Sequence, residues 1–271
     1  MKIGISSWTY PWAIGVRGHE LPANPMDAFG LLERAVALEV EVLQIADNLP
    51  VDALPASDLS RLSNDARRVG ISLELGTRGV EPSHLALFLE LARSLDVRLV
   101  RTLTSTDGHS PALAQVEAWL REALPGYERA GVTLALENYE AHTSEELASL
   151  MRRIGSPGLG VCLDTANSLG ALETPAEVVR TLGPWTVNLH VKDFRVARIS
   201  SRMGYLVTGC PAGAGRLDIP WLLGQVRGFR SAPSVIVEQW PPFTDTLATT
   251  ITLEAGWAEQ SVRHLRMCLR S

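Results

Sequence analysis

The chain has 271 residues, 46% hydrophobic and 20% charged, with a formal net charge of −5 and an isoelectric point near 5.7. That much apolar material serves one large core rather than several small modules, so a single domain over 1–271 is expected. The acidic balance speaks against a nucleic-acid surface built on bulk charge, and no apolar run nears the roughly 20 residues that span a bilayer. The first residues, MKIGISSWTYPW, lack the apolar run and small-residue cleavage site of a secretory leader, which makes a cytoplasmic location the expectation. Cys162, Cys210 and Cys268 are scattered and form no CxxC pair, so neither a disulfide framework nor a thiolate metal site is predicted.

A first buried strand is predicted over 3–8, followed by a Pro- and Gly-rich loop over 10–25 that is long enough to carry function. Helical spacing over 26–38 leads to a strand over 42–46 that ends in Asp47 and Asn48. The alternation continues with helix 57–69 and strand 71–75, helix 82–94 and strand 98–103, then helix 111–130 and strand 132–137. Gly70, Gly131 and Gly155 stand where helices should stop. Thr143-Ser144-Glu145-Glu146 reads as an N-cap with an acidic first turn. Strand 159–163, helix 175–182, strand 186–189, an insertion, helix 219–227, strand 234–237 and a helix over about 246–269 complete eight strand–helix units. Such alternation predicts an α/β protein, a single (β/α)8 TIM barrel with its active site at the C-terminal ends of the strands. The rival, an open doubly wound sheet, lacks its phosphate-binding fingerprint after the first strand.

Four strands end in a chemically active residue: Glu137 in VTLALE, Asp164 in LGVCLD, His190 in WTVNLHVKD and Glu238 in SVIVE. The first three follow at about one strand–helix unit each, and the last comes one unit and an insertion later. One imidazole and three hard oxygen donors at one barrel mouth suggest a divalent metal site, suited to Mn, Mg, Co or Fe and less typical of Zn. The competing use of any single polar strand end is a helix cap or loop anchor.

The runs ALEN at 135–138, CLDTAN at 162–167, LHVKD at 189–193, GAGRLDIP at 213–220 and VEQW at 237–240 resemble segments of the xylose isomerase-like TIM-barrel superfamily of sugar isomerases and epimerases. The resemblance spans essentially the whole chain. It implies that Glu137, Asp164, His190 and Glu238 bind one divalent metal, Mn or Mg foremost, and that Glu137 and Glu238 double as acid–base groups. It also implies a small sugar or sugar-acid substrate and a possible homo-oligomer. Endonuclease IV-type members carry further His ligands with no evident counterpart here. Two departures stand out: Asn167 occupies the place of a His found in ketohexose 3-epimerases, and Gln44 that of a Glu ending the second strand of many relatives.

Among substrate-binding candidates, Lys192, Arg195 and Arg198 belong to a basic insertion that also holds Arg202 and Arg216. Guanidinium groups grip carboxylates or phosphates in two places, which hints at an anionic sugar; a solvated basic loop is the alternative. Trp8, Tyr10, Trp12 and Trp240 are expected to meet where the barrel seals and to stack on a sugar, unless they serve the core. Glu74, Arg101 and Asn167 are further candidates, with Arg78 behind them. The reading that this set favours is an isomerase or epimerase acting on a keto sugar through a metal-bound enediolate. The alternative is a metal-dependent lyase, a decarboxylase or dehydratase, that acts on a keto sugar acid or keto-polyol. From other classes, a metal-dependent nuclease and a non-catalytic sugar-binding barrel remain to be tested.

Overall fold

The structure, a computed structural model, describes residues 1–229 and 232–270. Eight parallel strands close into a barrel: β1 (Ile3–Ser6), β2 (Val42–Ile45), β3 (Ser72–Arg78), β4 (Leu99–Leu103), β5 (Thr133–Glu137), β6 (Leu159–Asp164), β7 (Thr186–Val191) and β10 (Ser234–Val237). Closure comes from β1 pairing with both β2 and β10, with Ile5 level with Leu43 on one side and Val237 on the other. Between the strands lie the short α1 (Pro11–Ile14), inside the segment read as a loop, then α2 (Ala28–Ala37), α3 (Ala56–Arg68), α4 (Pro82–Leu95), α5 (Leu113–Ala130), α6 (Ser144–Ile154), α7 (Pro175–Leu182) and α8 (Ile219–Val226), and α9 (Leu247–Arg270) closes the chain. The fold is thus the expected α/β barrel. No helix among the described residues is long and apolar enough to cross a membrane.

The apolar rows on the helices seal against the outer faces of the strands, as with Leu85, Leu120 and Leu147 packed in one buried cluster with Leu134 and Leu136. Local signals place the helix ends. Thr143 caps α6, and the Glu146 carboxylate accepts its backbone N–H in return, a reciprocal box that satisfies two end groups. Gly131 and Gly155 end α5 and α6 at φ 64° and 62°, where a side chain would be strained.

Two further features depart from the sequence reading. The insertion after β7 is an antiparallel hairpin, β8 (Asp193–Arg198) with β9 (Tyr205–Cys210), rather than a basic loop. Its arginines interrupt an alternating apolar pattern and so conceal the strands. At its base, both Asp193 carboxylate oxygens accept backbone N–H groups from Phe194, Gly213, Gly215 and Leu217. This explains GAGR: a β-carbon on Gly215 would fall 2.1 Å from Asp193 Oδ1. The second departure is β3, which continues to Arg78 instead of ending at residue 75.

Candidate active site

At the C-terminal ends of the strands a cavity of about 240 Å³ is lined by Trp8, Arg101, Glu137, Asn167, Lys192, Glu238 and Trp240, joined by Arg78, Leu103, Tyr139, Ala166 and Gln239. Larger depressions, about 420 and 580 Å³, lie at the opposite end of the barrel and gather no comparable set of acids and imidazole.

His190, fully buried near the end of β7, is the centre of this mouth. Its Nδ1 lies 3.4 Å from Glu238 Oε2, 3.6 Å from Glu137 Oε1 and 3.7 Å from Asp164 Oδ2. Each acid has one oxygen committed to the protein. Asp164 Oδ1 accepts the N–H groups of Ala166 and Asn167, and Glu238 Oε1 accepts the Ser6 hydroxyl at 2.7 Å. Their other oxygens, with His190 Nδ1, are buried and lack an aligned hydrogen-bond partner. Asp164, His190 and Glu238 present donor atoms within 4.8 Å of one another; Glu137 falls in a second group with His190 and Cys162. Burial works against a charged imidazole, but the groups packed around it, Cys162, Glu238, Glu137 and Asp164, raise the His190 pKa well above its usual value. A cation is what this donor set demands, and hard oxygens with one imidazole fit a divalent metal.

Two cations share the site, Arg101 buried and Lys192 partly exposed. Lys192 Nζ is 2.9 Å from both Asp164 Oδ2 and Glu238 Oε2. Burial opposes ionisation of Asp164, yet Lys192 and His190 hold its carboxyl far below the usual range. Arg101 Nη2 contacts Asp47 at 3.1 Å and its Nε contacts Glu137 Oε2 at 3.0 Å. Arg101 and His190 thereby depress the Glu137 pKa against the effect of burial. Asn167 donates to Glu137 Oε1 at 2.8 Å, so its amide braces this acid.

The remaining predicted residues go elsewhere. Glu74 sits deep in the barrel interior, hydrogen-bonded to Ser234, Gln44 and Asn188, because β3 runs on to the mouth and ends there in Arg78. Tyr10 belongs to the core cluster. Trp12 donates from Nε1 to Pro241 O and packs on His19 and Phe243, away from the cavity wall. Arg195 and Arg198 are exposed on the hairpin, bonded to Ala214 O and Arg202 O. The aromatic quartet therefore divides, with Trp8 and Trp240 on the cavity and the other two outside it. Sequence reasoning passed over Asp47, which receives Trp8 Nε1, Arg78 Nε and Arg101 Nη2 and ties three strands at the rim. Its position at the end of β2, beside Asn48, was the available signal. Tyr139, two residues beyond Glu137, was missed for want of any pattern.

Residues 81–268 match the xylose isomerase-like TIM barrel family. The chain is 37% identical over 265 residues to a 3-oxo-isoapionate decarboxylase of Pectobacterium atrosepticum, covering 98% of this chain and 95% of that protein. Among solved structures, a D-psicose 3-epimerase superposes with a TM-score of 0.74 at 16% identity over 100% of both chains. A xylose isomerase-like TIM barrel protein of Mycobacterium smegmatis in complex with magnesium superposes with a TM-score of 0.68 at 15% identity, covering 97% of each chain. At such identities the structural likenesses bear on the fold.

Proposed function

The chain belongs to the xylose isomerase-like TIM barrel family, and on that premise we propose that it is a divalent-metal-dependent decarboxylase of a β-keto sugar acid. The observation that carries this reading is the 37% identity to a 3-oxo-isoapionate decarboxylase over nearly the full length of both chains. The geometry supports it. Asp164, His190 and Glu238, with Glu137 beside them, are the residues that would hold the metal, Mn or Mg. When bound, the metal supplies Lewis acidity at a ketone oxygen. Arg78 and Lys192 bring positive charge to the cavity and favour an anionic substrate. Trp8 and Trp240 offer faces for the sugar carbons and exclude water. The carbon that has lost CO2 must gain a proton, and Glu238 Oε2, 2.9 Å from the Lys192 ammonium, is placed to relay one from Lys192 to it.

The isomerase or epimerase reading is second, supported by Glu137 and Glu238 lying on different strands around one cavity. Against it stands the Arg101 ion pair, which favours a permanently charged Glu137 and leaves the two-carboxylate scheme short of a proton carrier. The test is NMR in D2O with the Mn- or Mg-loaded protein, 3-oxo-isoapionate and a panel of keto sugars. Metal-dependent CO2 release from the acid is expected. Deuterium entry at a sugar α-carbon without carbon loss would overturn the decarboxylase in favour of the isomerase.

A further inference from the structure

Beneath His190 the barrel interior holds a polar layer that the proposed chemistry leaves unused. Gln44 Oε1, from β2, lies 2.8 Å from His190 Nε2 across the barrel. Gln44 Nε2 donates to Glu74 Oε2 at 3.0 Å and to Asn188 Oδ1 at 3.1 Å. Asn188 Nδ2 in turn donates to Glu74 Oε2 and to the Ser234 hydroxyl, which itself donates to Glu74 Oε1 at 2.6 Å. The layer has a single consistent sense. Glu74 accepts from every partner, so both amides turn their N–H groups toward it, and Gln44 is left with its carbonyl facing the imidazole. A carbonyl can only accept. A hydrogen on His190 is therefore held at Nε2, and Nδ1 is the nitrogen that faces Asp164 and Glu238 and offers its lone pair once a cation takes the place of its proton. Packing does not account for this arrangement, because a barrel interior is filled as well by branched apolar side chains, without the penalty of burying a carboxylate.

Resting on the metal reading above, we infer that Gln44 is a positioning residue that fixes the His190 tautomer for a divalent cation, and that Glu74 is the anchor that keeps Gln44 the right way round. Partners of this kind behind a ligating histidine set the ring's orientation and basicity. Gln44 would then act without touching substrate.

The test uses the full chain, with Mn2+ as the binding probe and 15N NMR of the Mg2+-loaded protein to locate the ring hydrogen. Wild type should bind one Mn2+ and show a slowly exchanging Nε2–H for His190. Gln44→Met, close in volume, should bind Mn2+ about 10- to 100-fold more weakly and lose that slow signal. The double exchange Gln44→Glu with Glu74→Gln keeps an acceptor beside His190 and a donor at position 74. It should restore both readouts, which a change in packing alone would not. Wild-type affinity in Gln44→Met, a folded double exchange as weak as Gln44→Met, or a ring hydrogen on Nδ1 would each overturn the inference. Failure of the wild type to bind Mn2+ would instead remove the metal reading, and the inference with it.

Discussion

Arg101 Nε lies 3.0 Å from Glu137 Oε2, and both side chains are almost wholly buried. The same guanidinium also holds Asp47 and donates to Thr77 O, so one cation braces β2, β3 and β5 around the mouth. Arg101→Ala would leave the buried Glu137 carboxylate without its guanidinium, while Asp47 would keep Arg78. We expect a loss of about 3–5 kcal/mol in stability, the range for removing one partner of a buried pair, read as the shift in urea midpoint. A loss below about 1 kcal/mol, the scale of an exposed pair, would show that water readily reaches Glu137 and that the asymmetry between the two glutamates is weaker than the geometry implies.

Glu238 differs from Glu137 in facing an ammonium rather than a guanidinium, with its second oxygen steadied by Ser6. Glu238→Gln should lower kcat by about 10²- to 10⁴-fold, the usual worth of a positioned acid or base. Asp164 and His190 remain in that variant, so some metal should still bind. Steady-state rates beside Mn2+ titrations separate the two effects, and a fully active variant would rule out a proton role for Glu238.

Chelation tests the donor set directly. Dialysis against EDTA should abolish turnover, and Mn2+ or Mg2+ should restore it, with the thermal midpoint rising as the metal is returned because a ligand that binds only the folded state stabilises it. Undiminished turnover in excess chelator would mean that Lys192, lodged between Asp164 and Glu238, supplies the positive charge on its own.

The barrel and its four acid or imidazole strand ends were legible in the sequence because parallel strands buried on both faces read as short apolar runs, and a polar residue closing such a run is conspicuous. Glu74 misled for the same reason. Gly76 and Thr77 break the apolar run, so the third strand seemed to end there, whereas it carries on to Arg78 and leaves Glu74 in the interior. The hairpin was hidden by its arginines. The polar layer around Gln44 was illegible in a different way, since its members come from β2, β3, β7 and β10 and meet only once the barrel closes.

The arginines that sequence reasoning favoured can be set against the one that it ranked behind them. Arg195→Ala and Arg198→Ala, on the exposed hairpin, should leave kcat/KM within about twofold of wild type, as for surface changes away from a site. Arg78→Ala removes a cation from the cavity wall and should raise KM at least about tenfold, equivalent to about 1.4 kcal/mol of binding to an anionic substrate. Kinetics on the three variants decide the matter. A large effect from either hairpin arginine would mean that the hairpin folds over the mouth when substrate is bound.

Glu254 gives a pH prediction away from the chemistry. Its carboxylate is buried on α9 and accepts the backbone N–H groups of Trp12 and Ala13 at 2.7 and 3.0 Å, tying the loop after β1 to the last helix. Burial raises its pKa from an ordinary 4.5 to about 8, against the pull of those two hydrogen bonds. Between these values the folded protein holds a proton that the unfolded chain has released, so stability falls as pH rises through that window. Below it both states are protonated, and above it both are ionised. Trp12 and Ala13 donate to different oxygens, so Glu254→Gln, which cannot ionise, keeps one acceptor and loses the other at every pH. The difference between its thermal midpoint and that of wild type should therefore move in the variant's favour from pH 4.5 to pH 8, as measured by calorimetry across the range. Parallel curves for the two proteins would show that Glu254 is ionised in the folded state throughout, with its two backbone donors sufficient to hold the charge.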